Sequence, residues 1–206
     1  MGKALSEMTL EELWELFPII LKEHNPAYKE WYLNESVEIN EAAGRKDIKR
    51  MNHIGSSSVD GLIAKPTVDI LLEVDFKCDI EQLKLKLINA GWTLMSFKNK
   101  PDMEASFNKG YTSNGFADKV FHLHVRFWGD WDELYFRDYL LIHKDAAEKY
   151  GVLKQELKAQ YEHDRDGYTM AKTEFIQKYT KIAREDFGNR YMPGLSTGVH
   201  TLQGIE

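Results

Sequence analysis

The chain has one cysteine, Cys78, in 206 residues. A lone thiol excludes an internal disulfide framework and a cysteine-based metal cluster, and it suits a reducing cytoplasm. Long apolar runs are missing as well. The stretch Leu16 to Leu21 is interrupted by Pro18 and closed by Lys22-Glu23-His24, well short of the roughly 20 apolar residues that a membrane-spanning helix requires. The start, Met1-Gly2-Lys3-Ala4, carries no apolar secretory core, so the expectation is a cytoplasmic protein with no membrane partner. Positive charge is in deficit, with 27 Lys and Arg against 33 Asp and Glu, a net charge of -6. Broad nucleic-acid binding, which depends on neutralising phosphates, is therefore not expected, whereas a local basic pocket for a small phosphorylated ligand is allowed.

What is present is enough to bury one core. Hydrophobic residues make up 43% and aromatics 12% of the chain, as in an ordinary globular domain. Thr9-Leu10-Glu11-Glu12 is a capping box opening an N-terminal helical segment within residues 1-24. Asn25-Pro26 starts a longer helix with Tyr28, Trp31, Tyr32, Ile39 and Ala43 as its apolar stripe and Gly44 as its stop. Ile48 to Ile54 reads as a strand running into Gly55-Ser56-Ser57-Ser58, where three hydroxyls can cap a following helix. Lys65-Pro66 halts the next segment, and Thr67 to Val74 reads as a second strand. Val68, Ile70, Leu72 and Val74 share one face of it; Thr67, Asp69, Leu71 and Glu73 share the other.

Asp79-Ile80-Glu81-Gln82 opens a helix ending at Gly91, with Leu83, Leu87 and Ala90 inward. Trp92 to Phe97 and Met103 to Asn108 read as strands, and Lys109 to Gly115 as a loop. Val120 to Phe127 alternates most clearly, with Phe121, Leu123, Val125 and Phe127 opposite His122, His124 and Arg126. From Asp132 to Phe187 the pattern is helical, with breaks near His143 and Asp164, and Gly188 terminates it. The tail, residues 188-206, reads as a flexible arm.

The string His53-Ile54-Gly55-Ser56 … Val59-Asp60-Gly61-Leu62 … Ala64-Lys65-Pro66 … Asp69-Ile70 resembles the GrpB family within the nucleotidyltransferase superfamily. So do the later blocks His122-Leu123-His124-Val125, Phe136-Arg137-Asp138-Tyr139-Leu140 and Ala171-Lys172-Thr173-Glu174-Phe175-Ile176. The resemblance covers roughly residues 25-187. It implies an α/β (α+β) fold with a nucleotidyltransferase-like core, a small mixed, mostly antiparallel sheet flanked by helices. The sheet core would occupy about 45-128 and a C-terminal helical region about 131-187. It also implies a cleft for a nucleotide or other phosphorylated small molecule, with Asp69 holding a divalent ion (magnesium, manganese or zinc) for nucleotidyl or phosphoryl transfer. Family members fused to dephospho-CoA kinase suggest an accessory role near coenzyme A metabolism.

The residues themselves qualify that picture. Familiar superfamily members carry a second carboxylate two residues on, where this chain has Leu71. Glu73 shares the face but lies roughly 13 Å further along the strand. His122 and His124, about 6.7 Å apart on one face, can complete a metal site with Asp69, bind phosphate directly, or serve as structural polar residues. Gly55, Ser56 and Ser57 offer N-H groups and hydroxyls to phosphate at a helix N-terminus, with Lys65 and Arg126 to offset its charge. His53 reads as a buried, hydrogen-bonded residue, and Arg137-Asp138 as an ion pair fixing helix to sheet, with ligand contact as the second reading and Lys172 similar. Two rivals stand beside the transfer reading: a non-catalytic ligand-binding or adaptor module, and a metal-dependent hydrolase built on the His-x-His pair.

Overall fold

A computed structural model describes residues 3-194. Its centre is a five-stranded mixed sheet: β1 (Ile48–Ile54), β2 (Val68–Val74), β3 (Thr93–Lys98), β4 (Glu104–Thr112) and β5 (Gly115–Phe127), in spatial order β1-β2-β5-β4-β3. Only the β2/β5 pair is parallel; the other three pairs are antiparallel. The segment expected to be a loop, Lys109 to Gly115, instead continues both strands around a turn at Ser113-Asn114. The sequence pattern hides this because the ladder slips by a bulge between Lys109 and Tyr111, which breaks the period-two alternation. Gly110 sits there at φ +92, where an added Cβ would lie 2.2 Å from the Lys119 carbonyl oxygen.

One face of the sheet is packed by α2 (Ala27–Ala43) and α3 (Ile80–Asn89). Tyr28, Tyr32, Ile39, Leu83 and Leu87 meet Val68, Ile70, Leu72, Val74, Leu123 and Val125 in a single cluster, as the alternation in these strands predicts. Asp79 caps α3 by accepting from the Gln82 backbone N–H at 3.1 Å. The helical region resolves into α4 (Asp132–Ile142), α5 (Lys144–Tyr161), α6 (Arg165–Ala171) and α7 (Thr173–Phe187), with one break more than expected, at Lys172. These helices pack about their own core of Tyr135, Tyr139, Leu140, Tyr150 and Ala183. They also reach the second face of the sheet, where Leu134 packs on Ile54 and Leu71. Leu71 is therefore fully buried, and β2 is covered on both sides rather than solvent-facing on one.

The N-terminal segment holds α1 (Leu10–Leu16), capped by Thr9 and Glu12 reciprocally, and then an extended strap. Ile19 N–H donates to the Glu162 carbonyl at 2.7 Å, and Lys22 pairs with Ala64, so the strap stitches the helical region to the loop that leads into β2. Part of the expected flexible tail is docked: the Tyr191 hydroxyl donates to Asp138, and Arg190 meets the same carboxylate at 2.8 Å. Residues 195-206 of that tail lie outside the described residues. Among those described, no helix is long and apolar enough to cross a membrane.

Candidate functional site

The parallel β2/β5 register sets the site. Asp69 stands beside His122, Leu71 beside His124 and Glu73 beside Arg126, while the antiparallel β1 places Ile54 next to Asp69. The chain turns sharply after Ile54 at Gly55, with φ 71 and ψ -174. An added Cβ there would lie 2.5 Å from Asp69 Oδ2, so the turn brings bare backbone against the carboxylate as only glycine allows.

Asp69 is the electrostatic centre. His122 Nδ1–H donates to Asp69 Oδ1 at 3.0 Å, and His124 Nε2 lies 4.0 Å from the same oxygen. Burial works against ionisation of Asp69, but the His122 hydrogen bond and the charges of His122, His124 and Lys65 outweigh it and hold the carboxyl well below the usual range. The other ring nitrogen of His122, Nε2, shares a hydrogen bond with the Tyr111 hydroxyl at 2.8 Å. Tyr111 in turn accepts from Arg165 Nη2 at 2.9 Å. A continuous chain thus runs from α6 through Tyr111 and His122 to Asp69. Burial pushes His124 down to about 4, a neutral ring at neutral pH.

The Gly-Ser loop departs from expectation. No helix follows it; Ser56–Ser58 form one 3-10 turn. Ser57 is buried against His53 Nε2 at 3.0 Å, and Ser58 Oγ donates to the Gly55 carbonyl at 2.6 Å. That leaves Ser56, close to Tyr150, as the loop hydroxyl engaged by neither His53 nor Gly55. His53 is buried as expected, and burial pushes it down to about 4. Arg126, expected to offset phosphate charge, sits further along β5 between Glu104 and Glu133 at 3.7 Å each, so its charge is already balanced. Glu73 is sealed by Arg50, at 2.5 and 2.7 Å, and by the Gly129 N–H.

The helical region supplies Lys154 and Arg165, which the sequence reading missed, and places with them Lys172, read from sequence as an ion-pair residue. Lys154 of α5, Arg165 of α6 and Lys172 at the α6/α7 break come together at Lys65: Arg165 lines one crevice with it, and Lys154 and Lys172 are near enough to feel its charge. Burial first, then the charges of Lys172 and Lys65 on Lys154 and of Lys65 on Lys172, pushes both lysines down to about 7. Lys154 is 3% exposed, donates to the Ile63 carbonyl, and lies over the Tyr150 ring. Lys172 lies over the Tyr168 ring at 4.3 Å rather than in an ion pair. No linear signal marks these residues as a group, because they come from three helices. A crevice of about 10 Å³ between Pro18, Ile20, Lys65, Tyr111 and Arg165 has room for about one water molecule, so the strap closes this side of the cluster. Arg137 behaves as expected, donating to Asn52 Oδ1 and the His53 carbonyl at 3.1 Å and tying α4 to β1.

The donor set does not fit the fold family's metal centre. Leu71 is buried hydrocarbon, Glu73 is sealed by Arg50, and both ring nitrogens of His122 are engaged. Among the described residues no group of three His, Cys, Asp or Glu side chains is arranged to hold an ion.

The fold is that of a mixed α/β protein whose sheet core and helical region meet beside Asp69 and Lys65. A family model described as GrpB protein matches residues 18–182, and the chain belongs to the GrpB family. It is 30% identical to the glutamate-rich protein GrpB of Alkalihalophilus pseudofirmus over 78% of this chain and 92% of the relative. It is 32% identical to a UPF0157 protein of Halalkalibacterium halodurans over 87% and 90%. The crystal structure of the conserved protein GrpB from Enterococcus faecalis superposes with a TM-score of 0.69 and 26% identity, covering 82% of this chain and 99% of that one.

Proposed function

We propose that the protein binds a nucleotide or another phosphorylated small molecule in the cleft between Gly55-Ser56, Asp69 and the C-terminal helices. The observation that carries this is the cation cluster: Lys154, Arg165 and Lys172 gather on Lys65, which neighbours the one carboxylate, Asp69, that is already paired with His122. Cations forced together away from solvent repel one another, and an arrangement that keeps them there is explained by an anion that offsets the repulsion. Phosphate suits lysine and arginine donors together.

The metal-assisted nucleotidyl or phosphoryl transfer that the resemblance implies has the ionised Asp69 in its favour and the buried Leu71 and engaged His122 against it. The hydrolase reading loses support, because His122 is committed at both nitrogens. Thermal unfolding with a panel of nucleoside di- and triphosphates, with and without magnesium, manganese or zinc, tests the binding reading. Ligand at about 100 times its dissociation constant adds about 2.7 kcal/mol, roughly 5 to 10 °C for a chain of this size. No shift with any phosphorylated compound leaves the adaptor module as the better account.

A further inference from the structure

We infer that the phosphate bound in this cleft is held without a divalent metal ion, with Lys65, Lys154, Arg165 and Lys172 supplying the positive charge that a bridging ion would otherwise supply. The inference rests on the phosphate-binding reading above and narrows it to a class, a free di- or triphosphate group rather than its metal complex.

Three observations carry it. The first is the donor set. A hard cation bridging phosphate oxygens takes about six oxygen ligands, with protein carboxylates among them. The nearest position on the Asp69 face of β2 is Leu71, packed under Leu134 and Ile54, so a second carboxylate is excluded by hydrophobic packing rather than merely missing. The second is charge balance. Lys65 and Arg165, joined by whatever charge Lys154 and Lys172 carry near 7, outweigh the one carboxylate, which attracts a polyphosphate and repels a bare divalent ion. The third is unmet polar capacity. Lys154 is nearly fully buried with no carboxylate within ion-pair distance among the described residues, and the Tyr168 hydroxyl, on a side chain 1% exposed, has no hydrogen-bond partner.

Proton linkage follows from the same geometry. Lys154 feels Lys172 and Lys65, and Lys172 feels Lys65 and Asp69, with the Tyr150 ring of α5 against Lys154 and the Tyr168 ring of α6 against Lys172. Both lysines sit near 7 when the cleft holds no anion, so an arriving anion restores their protonated forms and binding draws protons from the buffer.

The test is calorimetric titration of the full chain with inorganic pyrophosphate at pH 7.5. It is run in EDTA and in excess magnesium, each in two buffers of different ionisation enthalpy. The expected result is binding in EDTA with net proton uptake, weakened by magnesium, which removes free pyrophosphate. Lys172→Gln, at a half-buried site that tolerates the change, lowers affinity about tenfold, and Lys172→Arg restores most of it. Asp69→Asn separates the readings by sign. It removes a like charge and tightens metal-free binding at least about threefold, whereas it abolishes binding through a metal. Binding seen only with magnesium and lost in Asp69→Asn overturns the metal-free inference and leaves the phosphate reading standing. No pyrophosphate binding in either medium overturns both.

Discussion

Replacing Gly55 by alanine tests the closest contact in the site. At φ 71 and ψ -174 the backbone occupies a region open essentially to glycine, costing about 1 to 3 kcal/mol for any other residue. The new methyl group would also start 2.5 Å from Asp69 Oδ2, so the carboxylate must retreat by about 1 Å to reach ordinary van der Waals separation. Retreat stretches the 3.0 Å bond from His122, a charge-assisted hydrogen bond worth about 1.5 to 3 kcal/mol. Together these give about 3 to 5 kcal/mol, or roughly 6 to 20 °C in Tm at about 2 to 4 °C per kcal/mol. Gly61→Ala is the control, since Gly61 also has positive φ, +76, but an added Cβ meets nothing within 4 Å. Scanning calorimetry of both variants separates backbone strain from displacement of Asp69. Equal destabilisation of the two would refute the claim that Gly55 is required by the carboxylate.

Arg50→Ala leaves Glu73 buried without its partner and should cost about 3 to 5 kcal/mol in urea unfolding; the double variant with Glu73→Gln should recover much of it. Leu71→Asp, which installs the carboxylate that familiar superfamily members carry, should unfold at lower denaturant than Leu71→Ala at pH 7. The gap should close as the medium approaches pH 4, because the buried acid protonates. His53 and His124 stay neutral in the fold to about 4, against an ordinary 6.5. The unfolded chain therefore binds more protons between those values, and stability falls as pH drops from about 6.5 to 4, by up to about 1.4 kcal/mol per unit for each ring. On the alkaline side the lysines reverse the usual trend. Lys154 and Lys172 lose their protons near 7 in the fold but near 10.5 when unfolded, so chemical denaturation should show stability rising from about pH 7 toward 10. A flat profile there refutes the buried-cation assignment.

Much of the fold was legible in residue order because it rests on local chemistry. Thr9 with Glu12 and Asp79 cap their helices as the spacing dictates, and the alternation of Val68 to Val74 and of Phe121 to Phe127 assigns the core face of each strand. The linear pattern could not register the bulge at Gly110, which turned an apparent loop into the ends of two strands. The family followed from short strings such as His53 to Ser56 and His122 to Val125. Asp69 and His122 could be named from the sequence, but their pairing at 3.0 Å comes from the parallel register of strands 53 residues apart.

The sequence by itself thus determined the family, the positions of most helices and strands, and one face of the sheet, since these depend on contacts within a few residues. Tertiary structure alone decided the rest. It buried Leu71 under α4, confined Arg126 between two glutamates, occupied Ser57 with His53, and drew Lys154, Arg165 and Lys172 from three helical positions onto Lys65. Charge and burial act through space, so the character of the cleft, a single engaged carboxylate among cations, emerges only when the helical region closes on the sheet.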